Sequence, residues 1–287
     1  MLSKNSGISR AAARKIVSLR NCLLTMTQGN QLNLIVGLNG FSFLVLNPEN
    51  KAFQAPTQVD FAVADYRKTT EEQYWEAFLK YPELTRNYEK VTIFHKNAYA
   101  TFVPNELYDE GQPELYLQFA TKLFETDSFD IDEIPELGVK NVFVPYVHIN
   151  NFLLDQFDTF EYHHFETALC KQFQQIAAQR SDKLALAYVD KNLFSLYVFQ
   201  GSNLLFNNTF EILKPADFVY YLLFTAEQLE LDPEQFPLQL FGSISEESPF
   251  YQLAYQYIRN IEVATVVTAS QSLSQLEARA FFPILNV

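Results

Sequence analysis

The stretch QLNLIVGLNGFSFLVLNPENKAF, residues 31–53, decides the fold. Its two apolar segments flank the turn Leu38-Asn39-Gly40, which predicts a β-hairpin, and a second turn at residues 47–50 leads into a third strand. Residues 183–206, KLALAYVDKNLFSLYVFQGSNLLF, repeat the pattern. FSLYVF at 194–199 corresponds to FSFLVL at 41–46, and Phe206 stands at the same offset as Phe53. The repeat predicts an internal duplication, and it is a statement about architecture rather than activity.

The composition favours sheet-rich cores and opposes glycine-rich phosphate loops. The 287 residues include 27 Phe and 16 Tyr, and aromatic residues are enriched in strands. Gly occurs only 8 times, although loops that bring the backbone close to a phosphate depend on it. A chain of this length can bury two ordinary cores.

Charge and cysteine content restrict the partners and the compartment. The net charge of −13 makes sequence-independent binding of nucleic acid implausible, because phosphates need clustered Lys and Arg. We therefore expect a protein partner and no nucleic acid. No apolar run reaches the roughly 18 residues of a membrane span, and the two cysteines, Cys22 and Cys170, form no disulfide framework. These features predict a cytoplasmic protein without a membrane span.

Residues 1–29 differ from the rest of the chain because they contain five basic and no acidic residues. Ile8, Ile16 and Leu23 fall at helical spacing, so an amphipathic helix resembling a transit peptide or a membrane-surface helix is one interpretation. The other is an extension outside the folded body, with Met26 as a possible start.

The predicted elements after residue 30 form two similar series. In the first half, strands at 90–95, 98–103, 129–134 and 140–146 and helices after Thr69 and from Pro113 follow the three opening strands. In the second half, helices begin at Pro215 and at Ser248-Pro249, and strands cover 237–241 and 261–267. Both halves therefore approximate the order β-β-β-α-β-α-β, which predicts α/β architecture with mixed sheets covered by helices.

Duplicated ribonuclease-H-like domains account for this order. We assign residues 30–146 to the first domain, 147–182 to a connecting segment with a helix, a strand and a helix, and 183–287 to the second domain. Because no Pro- or Gly-rich linker separates them, we expect one continuous packed body.

Four motifs resemble an uncharacterised bacterial family, domain-of-unknown-function family 3822. They are LNGFSF in the first hairpin, ATFVPNELY at 100–108, NVFVPY at 141–146 and LFGSISEESPFYQLAYQYI at 240–258. The likeness covers residues 30–267 and implies an actin-like ATPase fold without implying a known activity. In that superfamily the first hairpin of each domain contacts phosphates, and an Asp near each turn interacts with Mg²⁺ and water.

The first turn departs from the superfamily pattern. It contains Gly37, Asn39, Gly40 and Ser42, and Asn39 stands where the pattern has Asp. An amide carries no charge for a metal and cannot act as a general base. Asn-Gly is also the preferred pair of a tight hairpin, so a structural role is the favoured interpretation of these residues.

The second turn and the expected adenosine loop are also incomplete. Asp190 is present, but Lys191 and Asn192 replace the expected glycines, and Gly242 is followed by Ser243 rather than a second glycine. We interpret these residues, with those of the first turn, as a degenerate nucleotide site. No catalytic residue, metal ligand or cofactor is assigned, and ATP with magnesium is the alternative.

Two polar clusters remain. His163 and His164 are adjacent in a predicted strand, so their side chains point to opposite faces and cannot share a metal. Nearby Glu161 and Glu166 are interpreted as a solvated edge. The acidic run at 125–136, ETDSFDIDEIPE, is interpreted as a strand with a solvated face or as a docking surface for a basic partner.

We consider two functions, one as an interaction protein and one as a nucleotide-binding protein. The first is a non-catalytic scaffold or interaction module that kept the actin-like fold, so the chain is more an interaction protein than an enzyme. The alternative is a functional ATP-binding protein or kinase of the actin, chaperone and sugar-kinase superfamily. A ribonuclease-H nuclease is disfavoured because it needs several converging carboxylates, and the first strands contain none before Asp60.

Overall fold

A computed structural model describes residues 29–61, 68–118, 127–268 and 272–285. Both interpretations of the N-terminal extension, and Cys22 with them, concern residues outside these ranges apart from Gly29. None of the helices within them combines the length and the apolar character of a membrane span. Cys170 is buried and has no disulfide partner among the described residues.

The first large sheet contains the opening hairpin. Its strands in spatial order are β3 (Ala52–Asp60), β2 (Gly40–Asn47), β1 (Gln31–Gly37), β4 (Lys90–His95) and β8 (Glu161–His164). The hairpin strands are antiparallel, whereas β4 and β8 run parallel to β1. Helices α1 (Thr70–Lys80) and α3 (Val147–Phe157) bury their apolar residues against one face of this sheet.

Helix α1 begins where the sequence predicts it. Thr69 Oγ1 accepts the Glu72 N–H at 3.2 Å, and Glu72 Oε2 accepts the Thr69 N–H at 2.8 Å. This reciprocal capping box satisfies two backbone donors that the helix leaves unpaired. The buried Tyr74 and Phe78 of α1 then pack against Phe41 of β2.

The second large sheet has the same order of elements. Its strands in spatial order are β11 (Asn203–Glu211), β10 (Leu193–Gln200), β9 (Lys183–Asp190), β12 (Pro237–Gly242) and β13 (Asn260–Val263). Helices α5 (Pro215–Gln228) and α6 (Pro249–Ala254) cover one face. Val36 pairs with Phe41 in the first hairpin and Val189 with Phe194 in the second, so the two phenylalanines occupy matching register positions. Superposition of the two halves by a pseudo-twofold axis stays a prediction.

The first half of the chain also contains a separate three-stranded antiparallel sheet, which differs from the predicted arrangement. Its spatial order is β5 (Ala100–Pro104), β7 (Val139–Phe143) and β6 (Asp130–Ile134), and the four-residue helix α2 (Glu114–Leu117) packs against it. The predicted order β-β-β-α-β-α-β, with one or two extra strands, implied that the helix from Pro113 leads to the last strand of the first sheet, and the sheet topology differs from this. The sheet is completed by β8, which follows α3, because a parallel neighbour of β4 requires a crossover connection.

The segment predicted to connect the halves therefore belongs to the packed body. It contributes α3, β8 and helix α4 (Phe165–Ala177), whose residues Leu169 and Phe173 are fully buried. The C-terminal helix α7 (Gln275–Ala280) and the turn after it, which the sequence analysis did not predict, join the same core. This core lies between the two large sheets, and the division of the chain into two domains stays a prediction.

Candidate functional site: the cleft between the two hairpins

The turns of the two hairpins face a common cleft with a volume of about 370 Å³. Seven of the eight residues predicted for the degenerate nucleotide site line it: Gly37, Asn39, Gly40, Ser42, Asp190, Asn192 and Ser243. Tyr188 and Phe41 line it too, whereas Phe194 is buried in the core of the second sheet. The long-range packing thus brings together residues more than 150 positions apart, although their binding role stays a prediction.

Tyr74 of α1 is hydrogen-bonded to the backbone of the first turn. Its hydroxyl donates to the Gly37 carbonyl at 2.8 Å and accepts the Gly37 N–H at 3.1 Å. Burial raises the pKa of this phenol well above its usual value, so it stays protonated and keeps its donor. The Gly37 amide is therefore already hydrogen-bonded and is not a free donor for a phosphate.

Gly242 is the predicted residue that does not line the cleft. It has φ +86° and pairs with Val189 of the neighbouring strand, and a Cβ atom there would lie 2.1 Å from the Val189 carbonyl oxygen. The next amide, that of Ser243, donates to the same oxygen at 2.8 Å. Glycine at 242 thus permits close strand contact, and the Ser243 amide is occupied.

Lys96 lies beside Asp190, the single aspartate predicted for the site. Directly after β4, its Nζ lies 2.5 Å from Asp190 Oδ2 and stands over the rings of Phe165 and Tyr188, at 4.4 and 5.0 Å from their centroids. Burial alone would raise the pKa of the Asp190 carboxyl. The charge and hydrogen bond of Lys96 outweigh that effect, with help from Lys191, and hold the pKa below its usual value.

A second lysine–aspartate ion pair also spans the cleft. Lys191, in the second turn, has its Nζ 2.5 Å from Oδ1 of Asp60, the last residue of β3. Each half of the chain therefore supplies one lysine and one aspartate to the other half. Both side chains of this second pair are at least half exposed, so its contribution to stability is small.

Sequence reasoning missed Lys96 and Asp60 as parts of the site. One signal was available for Lys96, because it directly follows a buried strand and the carboxyl ends of parallel strands are where α/β sheets bind ligands. No local pattern pairs Lys96 with Asp190, which is 94 positions away.

A buried polar cluster lies where β6 meets the edge of the first sheet. Asp132 accepts hydrogen bonds from His163 Nδ1 at 2.8 Å, the His164 N–H at 2.7 Å and Thr167 Oγ1 at 2.7 Å. Burial opposes ionisation of Asp132, yet these hydrogen bonds keep its pKa below the usual value. The interpretation of the acidic run as a solvated face is thus wrong at Asp132, which attaches β6 to β8 and α4.

The predicted solvated edge is also corrected at Glu166. This side chain is buried and accepts hydrogen bonds from Ser195 and Tyr197, both at 2.6 Å, while burial raises its pKa. Of the two histidines, His164 is fully buried and His163 is more than a third exposed, as opposite faces of a strand require. Within the described ranges, no group of three or more His, Cys, Asp or Glu side chains is arranged to hold a metal ion.

Comparisons with known proteins agree with this architecture. The structure of a protein from Bacteroides thetaiotaomicron VPI-5482, described as having an actin-like ATPase fold and unknown function, is 24% identical with a TM-score of 0.74. The match covers 84% of this chain and 92% of that one. A structure described as the PilM-PilN type IV pilus biogenesis complex is 12% identical with a TM-score of 0.53, covering 89% and 96%.

These similarities show the fold alone, since both identities are low. A search of curated proteins returns no match. The model of the family described as "Protein of unknown function (DUF3822)" matches residues 23–261, which is most of the chain. The chain therefore has the actin-like ATPase fold and belongs to the DUF3822 family.

Proposed function

We propose that this protein is a non-catalytic member of the actin-like group, a scaffold or interaction module with a degenerate nucleotide site. The observation that carries the proposal is the ion pair between Lys96 and Asp190 inside the cleft. Asp190 is the acid that the superfamily pattern would use on the metal side, and here its carboxylate is bound to an ammonium group. Asn39 at the other turn offers an uncharged amide in place of a second acid.

The backbone donors of the cleft support the same conclusion. The amides of Gly37 and Ser243 are bonded within the protein, to Tyr74 and to Val189. A bound phosphate would have to break such bonds or leave its own oxygens unpaired. Losing two anchors at about 1–3 kcal/mol each weakens a site by roughly 10³-fold.

An interaction role is supported by charge and by one structural neighbour. The net charge of −13 opposes nucleic acid, which leaves a protein as the proposed partner. The PilM-PilN structure, by its description, is a complex, so one protein of similar fold takes part in an assembly. This is an analogy of fold and names no partner for the present chain.

The alternative is a functional ATP-binding protein, and one observation favours it. Lys96 and Lys191 both line the cleft together with seven of the predicted residues, so two positive charges lie in the cleft, each paired with an aspartate. ATP would then have to replace Asp190 and Asp60 as partners of these lysines.

Calorimetric titration with ATP and ADP, each with and without Mg²⁺, separates the two functions. We expect no binding tighter than about 1 mM for either nucleotide. The alternative would be established by micromolar binding that is abolished in Asp190→Ala. The control variant Asp155→Ala, on the exposed side of α3, should then bind as the wild type does. Micromolar binding lost in Lys96→Gln but kept in Asp190→Ala would also reject the proposal and identify Lys96 as a phosphate contact.

A further inference from the structure

A groove separate from the cleft lies between the three-stranded sheet and the second large sheet. Its volume is about 360 Å³, within the range of ligand pockets in proteins. Phe102 of β5 and Leu137 after β6 form one wall, and Leu204 and Asn207 of β11 form the other. Because β5 and β11 are each the outermost strand of their sheet, two sheet edges border the groove.

The outer side of β5 has no strand partner among the residues that the structure describes. The Val144 N–H donates to the Tyr99 carbonyl and the Asn105 N–H to the Gly138 carbonyl, which fixes which residues of β5 bond to β7. Hydrogen-bonding direction alternates along a strand, so Thr101 and Val103 face β7 and Phe102 faces away from it. The N–H and C=O of Phe102 are therefore directed outward from the sheet.

The same reasoning applies to β11. The Ile212 N–H donates to the Asn192 carbonyl at 2.6 Å, so Phe210, Asn208 and Phe206 bond to β10 and Asn207 faces away. On β5, Ala100 and Phe102 direct both N–H and C=O outward, whereas Pro104 offers only its C=O. Such outward groups on an edge strand are a template for another extended chain. A small molecule would not satisfy two such edges, whereas a peptide strand carries donors and acceptors at the matching spacing.

Side chains around the groove indicate the character of that peptide. Polar and apolar groups both line the groove, with the polar share of the exposed surface the larger, and Leu205 is exposed at the rim. Among the described residues that line the groove, Glu136 is the one with a charged side chain, and it is exposed. A lysine or arginine of the ligand would complement this carboxylate.

We propose that the groove binds an extended segment of a partner protein, which adds as a strand to β5 and places a basic residue opposite Glu136. This inference rests on the interaction role proposed above but not on the state of the nucleotide site. Its failure would leave the calorimetric result unaffected, and micromolar ATP binding would leave the groove unaffected.

Selection of a random peptide library, displayed on phage, against the purified full chain tests the proposal. We expect enriched peptides that alternate apolar and polar residues and contain Lys or Arg. Synthetic copies should bind in fluorescence anisotropy, and methylation of their backbone amides should abolish binding. Hydrogen exchange measured by NMR should show protection of the Phe102 amide only when the peptide is present.

Two groove variants and one control make the test specific. Glu136→Lys should weaken the selected basic peptides by about tenfold or more, and Leu205→Ser should weaken them by removing an exposed apolar contact without adding a charge. Glu246→Lys, an exposed change of equal charge outside the groove, should leave the affinity unchanged. Thermal unfolding confirms that each variant is folded.

The remaining outcomes overturn the proposal. One is the absence of any enriched peptide, and another is enrichment of peptides whose affinity neither groove variant alters. A third is binding with no protection of the Phe102 amide, since that would exclude strand addition. Binding that becomes strong only after removal of residues 1–28 would show that the chain's own N-terminal segment, rather than a partner, occupies the groove.

Discussion

Replacing Gly40 or Gly242 with alanine is expected to lower the free energy of unfolding by about 3 kcal/mol or more. A Cβ atom would lie 2.1 Å from the carbonyl oxygen of Val59 in the first case and of Val189 in the second. Both obstacles are backbone atoms of a paired strand, so no side-chain rotation relieves them. The positive φ angles, +146° and +86°, add conformational strain for any residue with a side chain.

Urea unfolding of the two variants measures the effect, and Gly37→Ala is the matched control. At Gly37 the nearest atoms to a Cβ would be the carbonyl oxygens of Gly40 and Lys96, at 3.5 and 3.6 Å, which are ordinary contacts. This variant should lose less than about 1 kcal/mol. Wild-type stability in Gly40→Ala would show that β3 does not approach the first turn so closely.

Lowering the pH from about 7 to about 4 is expected to destabilise the protein by about 5 kcal/mol. The cause is a pair of fully buried histidines, His95 and His164. Burial lowers the pKa of His95 from 6.5 to about 4 and that of His164 from 6.5 to about 3. Both rings are held neutral by specific partners.

These partners define which ring nitrogen carries the proton. His95 Nδ1 accepts the Tyr146 N–H, so its Nε2 donates to Asn150 Oδ1 at 2.9 Å. His164 Nδ1 accepts the Glu166 N–H and caps α4. Protonation of either Nδ1 would place a donor against a donor inside the core, which is why the folded state resists it.

The sign of the pH dependence follows from these shifts. Between about pH 6.5 and 4 the unfolded chain binds protons at these two histidines that the folded chain does not, so their contribution to stability falls as the pH falls through this window. Glu166, whose buried carboxyl has a raised pKa, offsets part of this loss. Below this window, Asp132 adds to the loss, because a carboxylate whose folded pKa is depressed stabilises the fold only while it is ionised.

Urea unfolding at several pH values, with one histidine variant, checks this prediction. His164→Asn keeps an acceptor for the Glu166 N–H and removes one titrating ring, since asparagine is a favourable N-cap. The slope of stability against pH should decrease by about 1.4 kcal/mol per pH unit. A flat wild-type profile from pH 7 to 4 would contradict the neutral, buried assignment.

The candidate site could be predicted in part. Local sequence was sufficient for the two turns, because Asn39-Gly40 and Lys191-Asn192 have turn chemistry between apolar strands. That Asn39 stands in place of an acid is implied by the resemblance to the superfamily and stays a prediction. The partner of Asp190 could not be predicted, because Lys96 reaches it only after β4 has aligned in parallel beside β1.

The amino-acid sequence by itself determined the strands, the helix starts before α7 and the family of this protein. These depend on short-range causes: apolar patterning, turn residues and the Thr69–Glu72 capping box act over a few positions. Tertiary structure alone decided that β8 completes the first sheet, that Asp132 is buried and that two lysines neutralise the acids of the cleft. The physical reason is that burial and ion pairing depend on residues far apart in the chain, whose contacts only the packed sheets specify.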